Sequence, residues 1–204
     1  MSRSMVAGVM PAAVQTMLHE ASSYQSLEDN LLSAGYEKVQ GMHQCSEVFI
    51  HPDYDGVIKL VDYNDTAYLR FVNLARRLGC HKYLPTIHEV VKLRLRDYSQ
   101  AVVIEKLLSY SQAHPSKDGL QEYYQFKHAE NNLQHIYQNT PKSNRPLRLV
   151  LRLLIRMTKQ DNNIMVDLNS ANMMFRRDGD MVITDPIAPR GFIVGKALLS
   201  RYGY

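Results

Sequence analysis

The segment Val166-Asp167-Leu168-Asn169-Ser170-Ala171-Asn172-Met173-Met174-Phe175, followed by Val182-Ile183-Thr184-Asp185, constrains the fold more than any other stretch of this chain. It sets an Asp, an Asn five residues later and a second Asp thirteen residues after that. The apolar runs at 172–176 and 181–184, divided by Asp178-Gly179, read as a strand pair with a tight turn. Such a pair folds Asp185 back over Asn172. The carboxamide and the second carboxylate gathered this way are an oxygen-only donor pair, which suits a hard divalent cation.

The rest of the chain changes period twice. Residues 11–22 read as a short helix after Pro11. Ser26, with Asp29 three residues on, predicts the cap of a second helix that stops at Gly35. Val48-Phe49-Ile50 and Val57-Ile58-Lys59-Leu60-Val61 are β-rich runs separated by the turn residues His51 to Gly56. Asn64 or Asp65 starts a helix that runs to Leu78 and ends at Gly79. Residues 86–93 and 100–105 read as another strand pair, joined by charged residues at 94–98. Beyond the loop His114 to Gly119, helices are predicted over 120–138 and 146–160, divided by the stretch Thr140 to Pro146. The expected class is therefore α+β, with a strand-rich nucleotide-binding lobe at 1–106 and a helical lobe at 107–204.

Composition narrows the function. A chain of 204 residues can bury one substantial core, or form two small lobes around a cleft. No run of about 18 apolar residues occurs, so no spanning helix is expected. The N-terminus has a weakly apolar run broken by Gln15 and His19, which reads as a mature cytoplasmic start. Cys45 and Cys80 are too few for a disulfide framework or a zinc site, and suit a reducing compartment. The scattered histidines show no metal-ligand spacing, and no zinc is expected. No nucleophile elbow is present to support a hydrolase triad. A net charge of +4 is compatible with phosphate ligands or acidic partners without demanding nucleic acid.

A lysine inside a β-branched strand, as in Gly56-Val57-Ile58-Lys59-Leu60, carries a buried-charge cost unless an anion meets it. Upstream, Gly41 to Phe49 would form a turn between the first two strands, with Gly41 and Ser46 available to phosphate. The turn, the lysine strand, the Asp–Asn loop and the second Asp together supply the set of groups that phosphoryl transfer from ATP needs. One carboxylate orients the acceptor hydroxyl, and a neutral oxygen and a second carboxylate hold magnesium between the phosphates.

Val166 to Ala188 resembles the catalytic and magnesium loops of the early serine/threonine protein kinases of T-odd coliphages and their podovirus relatives. Thr184-Asp185-Pro186, with Pro where Phe is usual, is a particular likeness. So is the run from Leu27 to Val91, with the Gly41 turn, His51-Pro52 and Val57-Ile58-Lys59. Val102 to Leu107 looks like the strand that leads to an adenine hinge. The resemblance spans roughly residues 27–188. It implies a reduced two-lobed protein kinase-like fold with ATP and Mg2+ as cofactors. Asp167 would be the catalytic base and Lys59 the phosphate lysine. Asn172 and Asp185 would be the magnesium ligands. Main-chain groups around Glu105 to Leu107 would hold adenine. It also implies action in the host cytoplasm, with host bacterial proteins as substrates or targets.

This chain departs from the usual kinase pattern at several places. Met165 stands where most kinases carry His, and Asn169 replaces the Lys two residues after the catalytic Asp. The helix 65–78 has no Glu to pair with Lys59, and 19 residues follow Asp185. These departures favour a rival reading, a non-catalytic kinase-like protein that binds and inhibits a host protein. A small-molecule phosphotransferase, or transfer of AMP through the same metal loop, fits the pattern as well.

Arg145, Arg148, Arg152 and Arg156, with Lys159, form a basic stripe at helical spacing. It reads as a solvated face opposite Leu and Ile residues, or as a docking surface for an acidic protein or nucleic acid. Few aromatics interleave, which argues against single-strand nucleic acid. The tyrosines from Tyr123 to Tyr137 read as core or lobe interface. A homodimer would cover apolar surface in so short a kinase.

Overall fold

β-branched, largely buried runs at 57–61 and 101–104 set strands in the first half, and i, i+3, i+4 apolar spacing sets helices in the second. The computed structural model describes residues 10–39, 46–129 and 131–191. The Gly41 turn lies outside the described residues. Contacts divide the chain into two compact units, one of Met1–Asp65 with Thr86–Lys106, the other of Thr66–Pro85 with Leu107–Tyr204.

The first unit holds helices α1 (Ala12–Glu20) and α2 (Tyr24–Ser33) and strands β1 (Glu37–Lys38), β2 (Ser46–Ile50), β3 (Gly56–Asp62), β4 (Ile87–Lys92) and β5 (Tyr98–Glu105). They form an antiparallel sheet in the order β1-β2-β3-β5-β4. Phe49, Ile58, Leu60, Ala101 and Val103 face one way, into a core shared with Val14 and Leu18 of α1 and Leu27 and Leu31 of α2. Side chains alternate along a strand, so Lys59, Val57 and Val61 take the opposite face. The helix expected to be capped by Ser26 is capped by Ser23, whose hydroxyl accepts the Ser26 N–H at 3.2 Å. Its end is as expected. Gly35 takes φ +89°, with Tyr36 N–H donating to Leu31 O and Gly35 N–H to Leu32 O, a Schellman closure.

The second unit holds helices α3 (Thr66–Leu78), α4 (Lys117–Lys127), α5 (Leu133–Asn139) and α6 (Arg145–Gln160). Its strands are β6 (Ile164–Val166), β7 (Met173–Phe175), β8 (Met181–Ile183) and β9 (Ile187–Pro189). β7 pairs with β8 as the sequence implied, and β6 pairs with β9, which it did not reveal. The expected division at residue 106 placed 66–85 in the strand-rich lobe, whereas that segment belongs to the second unit. Its bonds show why. Arg70 pairs with Asp161 at 2.7 Å, and Arg176 donates to the carbonyls of Lys82 and Leu84. Ile183 N–H donates to Tyr83 O at 3.0 Å. The Tyr83 hydroxyl donates to Glu122 Oε1 at 2.6 Å, and Asn144 Nδ2 donates to the same oxygen at 3.0 Å.

The helix expected over 120–138 is two helices. Asn131 takes φ +66°, which ends helical propagation, and the Asn132 side chain caps α5 by accepting the His135 N–H. Tyr123 is buried and stacks on Tyr110 at 4.6 Å, while Tyr124 is 40% exposed. In α6, Leu147, Val150, Leu151 and Leu154 are buried. Arg148 does not belong to the exposed stripe: its guanidinium donates to Tyr137 O and Thr140 O at 2.9 and 2.8 Å and lies over the Tyr137 ring. Among the described residues no helix is long and apolar enough to cross a membrane. The architecture is α+β, with an antiparallel five-stranded sheet in the first unit and helices with two short strand pairs in the second.

Candidate active site

The Asp167 loop is held almost wholly by short, specific bonds within the second unit. β6 ends at Val166, whose strand partner is Ile187. The next residue, Asp167, donates its N–H to Pro186 O at 2.9 Å. Leu168 N–H donates to the side-chain oxygen of Asn131 at 2.5 Å. Asn169 Oδ1 accepts the N–H groups of Ala171 and Asn172 at 2.9 and 3.2 Å, which caps the single 3-10 turn Ser170–Asn172. The other end of the same amide, Nδ2, donates to Asp167 Oδ1 at 3.1 Å.

Asn172 is 4% exposed, and its amide nitrogen is spent on Asp167, at 2.6 Å to the carbonyl and 3.2 Å to Oδ2. That orientation leaves its Oδ1 as the end that can serve a cation. Thr184 N–H donates to Asn172 O at 2.9 Å. Asp185 therefore sits between two residues, Thr184 and Pro186, each tied by a backbone bond to the Asp167 loop. The hairpin that the sequence implied is real, and the unforeseen β6–β9 pair completes the clamp.

This donor set fits magnesium. Asn172 offers a carboxamide oxygen and Asp185 a carboxylate, and magnesium needs only one or two protein ligands because it keeps waters and phosphates. Among the described residues no cluster of three His, Cys, Asp or Glu side chains forms a metal-binding group.

In the first unit Lys59 is 7% exposed in the middle of β3, opposite Val48 of β2 and Val102 of β5. Directly opposed residues share a sheet face, so Lys59 stands among Val48, Val57, Val61 and Val102. Ser46, opposite Val61, is on that same face. α3 carries no carboxylate, as its sequence required. Glu105 ends β5, and its carboxylate accepts the Thr86 N–H at 2.8 Å. Its own N–H donates to Thr86 O, and Lys106 N–H donates to Asp55 O. Two of the main-chain donors expected near adenine are thus engaged inside the unit. Leu107, 9% exposed, follows them.

Sequence reasoning missed Asn131 and the role of Asn169. The first was hidden inside a presumed continuous helix, although Asn131-Asn132 is the residue type that accepts positive φ and caps helices. The second was read only as the loss of a lysine charge.

No family model matches this chain, and no curated protein does. Among solved structures, an aminoglycoside phosphotransferase of Streptomyces rimosus is similar to it at a TM-score of 0.38 and 16% identity. That likeness covers 79% of this chain and 76% of the other. A TM-score of 0.38 is too low for the likeness to bear on function, which has to come from the residues of the loop and the lysine strand.

Proposed function

We propose that this chain is a Mg-ATP-dependent phosphotransferase of the protein kinase-like type, acting on serine or threonine hydroxyls of proteins. The observation that carries the reading is the Asp167–Asn172 contact. The Asn172 amide nitrogen is fixed on the Asp167 main chain, the Asp167 carboxylate is oriented by Asn169, and Asp185 is clamped between Thr184 and Pro186. A loop built only for stability has no need to spend two carboxylates and a nearly buried carboxamide in one place.

In this reading Asp167 orients the acceptor hydroxyl and takes its proton as the oxygen attacks phosphorus. Asn172 and Asp185 would hold magnesium, which when bound neutralises charge on the phosphates. Lys59 meets the α- and β-phosphates, beside the branched apolar surface of Val48, Val57 and Val102, which suits a flat base. Ser46, and Gly41 outside the described residues, complete the proposed phosphate contacts. The main chain at Glu105 and Leu107 is the proposed adenine edge. Catalysis is then positioning with electrostatic stabilisation. The protein acceptor and a role on host proteins of a bacteriophage-infected cell, in the host cytoplasm, rest on the resemblance of Val166 to Ala188 described above.

The test is transfer of γ-labelled phosphate from Mg-ATP to the protein itself and to a bacterial lysate. Asp167→Ala should abolish labelling while the circular dichroism spectrum stays unchanged. Wild-type labelling by Asp167→Ala would refute the role of Asp167. Absence of labelling and of ATP binding in the wild type would favour the non-catalytic, partner-binding reading.

A further inference from the structure

The basic residues of α6 remain unused by the phosphoryl-transfer reading. We propose that the exposed ridge Arg145, Arg152, Arg156 and Lys159 is a docking surface for an acidic helical segment of another protein. The four are exposed. At 3.6 residues per turn they fall within an arc of about 60°, and at 1.5 Å per residue they extend along ~21 Å. They form a straight line on one side of the helix, with the buried Leu147, Val150, Leu151 and Leu154 turned elsewhere.

The ridge is costly to its own helix. α6 contains no Asp or Glu in Arg145–Gln160, so no carboxylate on the helix offsets the row. Arg152 and Arg156 are like charges at i, i+4, which repel. Arg145 occupies the first turn, where the helix dipole disfavours a cation. The nearest following acid, Asp161, is already paired with Arg70. Among the described residues no ion pair joins any of the four ridge cations to a carboxylate. A merely solvated face would interleave acids with bases at no loss. An unmixed row that lowers helix stability is explained by a partner that supplies the acids.

Residue chemistry points to a polypeptide. Three of the four are arginines, whose planar fork grips carboxylates in pairs. Leu149, Leu153 and Ile155 are half-buried on the flanks of the ridge. An amphipathic acidic helix has apolar side chains to cover them, whereas a sugar–phosphate backbone has none. No aromatic residue interrupts the ridge to stack a base. The intervals along the ridge are seven, four and three residues. An antiparallel helix with Glu at those intervals in reverse order, three, four and seven, would place a carboxylate opposite each cation.

The test uses the whole 204-residue chain and a fluorescein-labelled synthetic peptide of Glu and Leu with Glu at those reversed intervals. A scrambled peptide of equal composition and a 20-base-pair duplex DNA serve as competitors. Fluorescence anisotropy should show the matched peptide binding more tightly than the scrambled one and weakening as salt rises. R152E/R156E, on exposed positions, should weaken it about tenfold or more, and R152Q/R156Q less. Circular dichroism confirms that both variants are folded. Equal affinity for matched and scrambled peptides, or wild-type binding by R152E/R156E, would overturn the proposal. So would duplex DNA that binds more tightly than the matched peptide, since the ridge would then be a nucleic-acid surface. The readout does not use phosphoryl transfer, so it stands or falls apart from the enzymatic reading.

Discussion

Asn169 separates a structural reading of the Asp167 loop from a catalytic one. Its amide is used at both ends: Oδ1 caps the 3-10 turn through Ala171 and Asn172, and Nδ2 holds Asp167 Oδ1 at 3.1 Å. Asn169→Ala removes both. The lost cap is worth about 1 kcal/mol, which in a chain of this size lowers Tm by about 2–4 °C. The lost bond to a carboxylate in an exposed loop is worth about 1.5 kcal/mol, so if Asp167 must be oriented, kcat falls about tenfold. Asn169→Asp divides the two effects. Asp caps as well as Asn, but it replaces the donor with a second carboxylate near Asp167 Oδ1. At that separation, effective dielectrics of 80 and 20 give a repulsion of about 1 and about 5 kcal/mol. Asn169→Asp should therefore have a lower kcat than Asn169→Ala, while its Tm stays nearer wild type. The assay is γ-phosphate transfer from Mg-ATP at neutral pH, with Asp167→Ala as the inactive control and thermal melts of each variant. If Asn169→Ala loses stability while both variants keep wild-type kcat, Asn169 is a cap only, and the orienting argument is wrong.

Three other changes test the second unit. Burial is the chief cause holding the Glu122 carboxyl above its usual range, against the opposing bonds from Tyr83 and Asn144 and the nearby Lys82 charge. A carboxyl raised on folding favours the folded protein most below its unfolded value of about 4.3, and that share of stability is lost as pH rises to the folded value. Thermal melts from pH 4 to pH 8 should thus show a shallower pH dependence for Glu122→Gln than for wild type; equal slopes would count against this account. Asn131→Ala loses the bond to Leu168 N–H and retains the positive φ, at a cost of about 2 kcal/mol or more. Asn131→Gly relieves the backbone but not the lost bond, so it should melt between wild type and Asn131→Ala, and an Asn131→Ala Tm equal to wild type would dismiss the tie. Arg148→Ala should cost about 2 kcal/mol by freeing the carbonyls of Tyr137 and Thr140, whereas Arg152→Ala should stay within about 0.5 kcal/mol. Urea denaturation distinguishes them, and equal midpoints would return Arg148 to the solvated ridge.

What could be read from the sequence is what depends on neighbours in sequence. Gly35 and Gly79 stop their helices because only residues tolerant of φ near +89° and +63° can. The β7–β8 hairpin was legible because its two strands are joined by Asp178-Gly179, and it brought Asp185 to Asn172. The strand position of Lys59 was legible from the branched residues around it. β6 and β9 were not, since each has three residues and their partners lie more than twenty positions apart. No period can be read from three residues, and pairing at that distance is decided by the fold. Ser26 was misread as a cap because Ser23, three residues earlier, offers the same hydroxyl.

The same distinction explains why the site was half legible. The residue types proposed for the chemistry, Asp167, Asn172 and Asp185, appear in the sequence as a spacing. Their orientation is fixed by Asn131 Oδ1 to Leu168 N–H, Pro186 O to Asp167 N–H and Asn172 O to Thr184 N–H. Two of those three acceptors are backbone carbonyls, which every residue carries, so nothing in the residue names marks them. Only Asn131 brings a side chain, and its positive φ placed it where a continuous helix had been expected. The α3 segment shows the same limit on a larger scale. Its amphipathic pattern predicts a helix with one buried face, but which unit receives that face is decided by Arg70, Tyr83 and the carbonyls of Lys82 and Leu84, whose partners lie some 40 to more than 90 residues away.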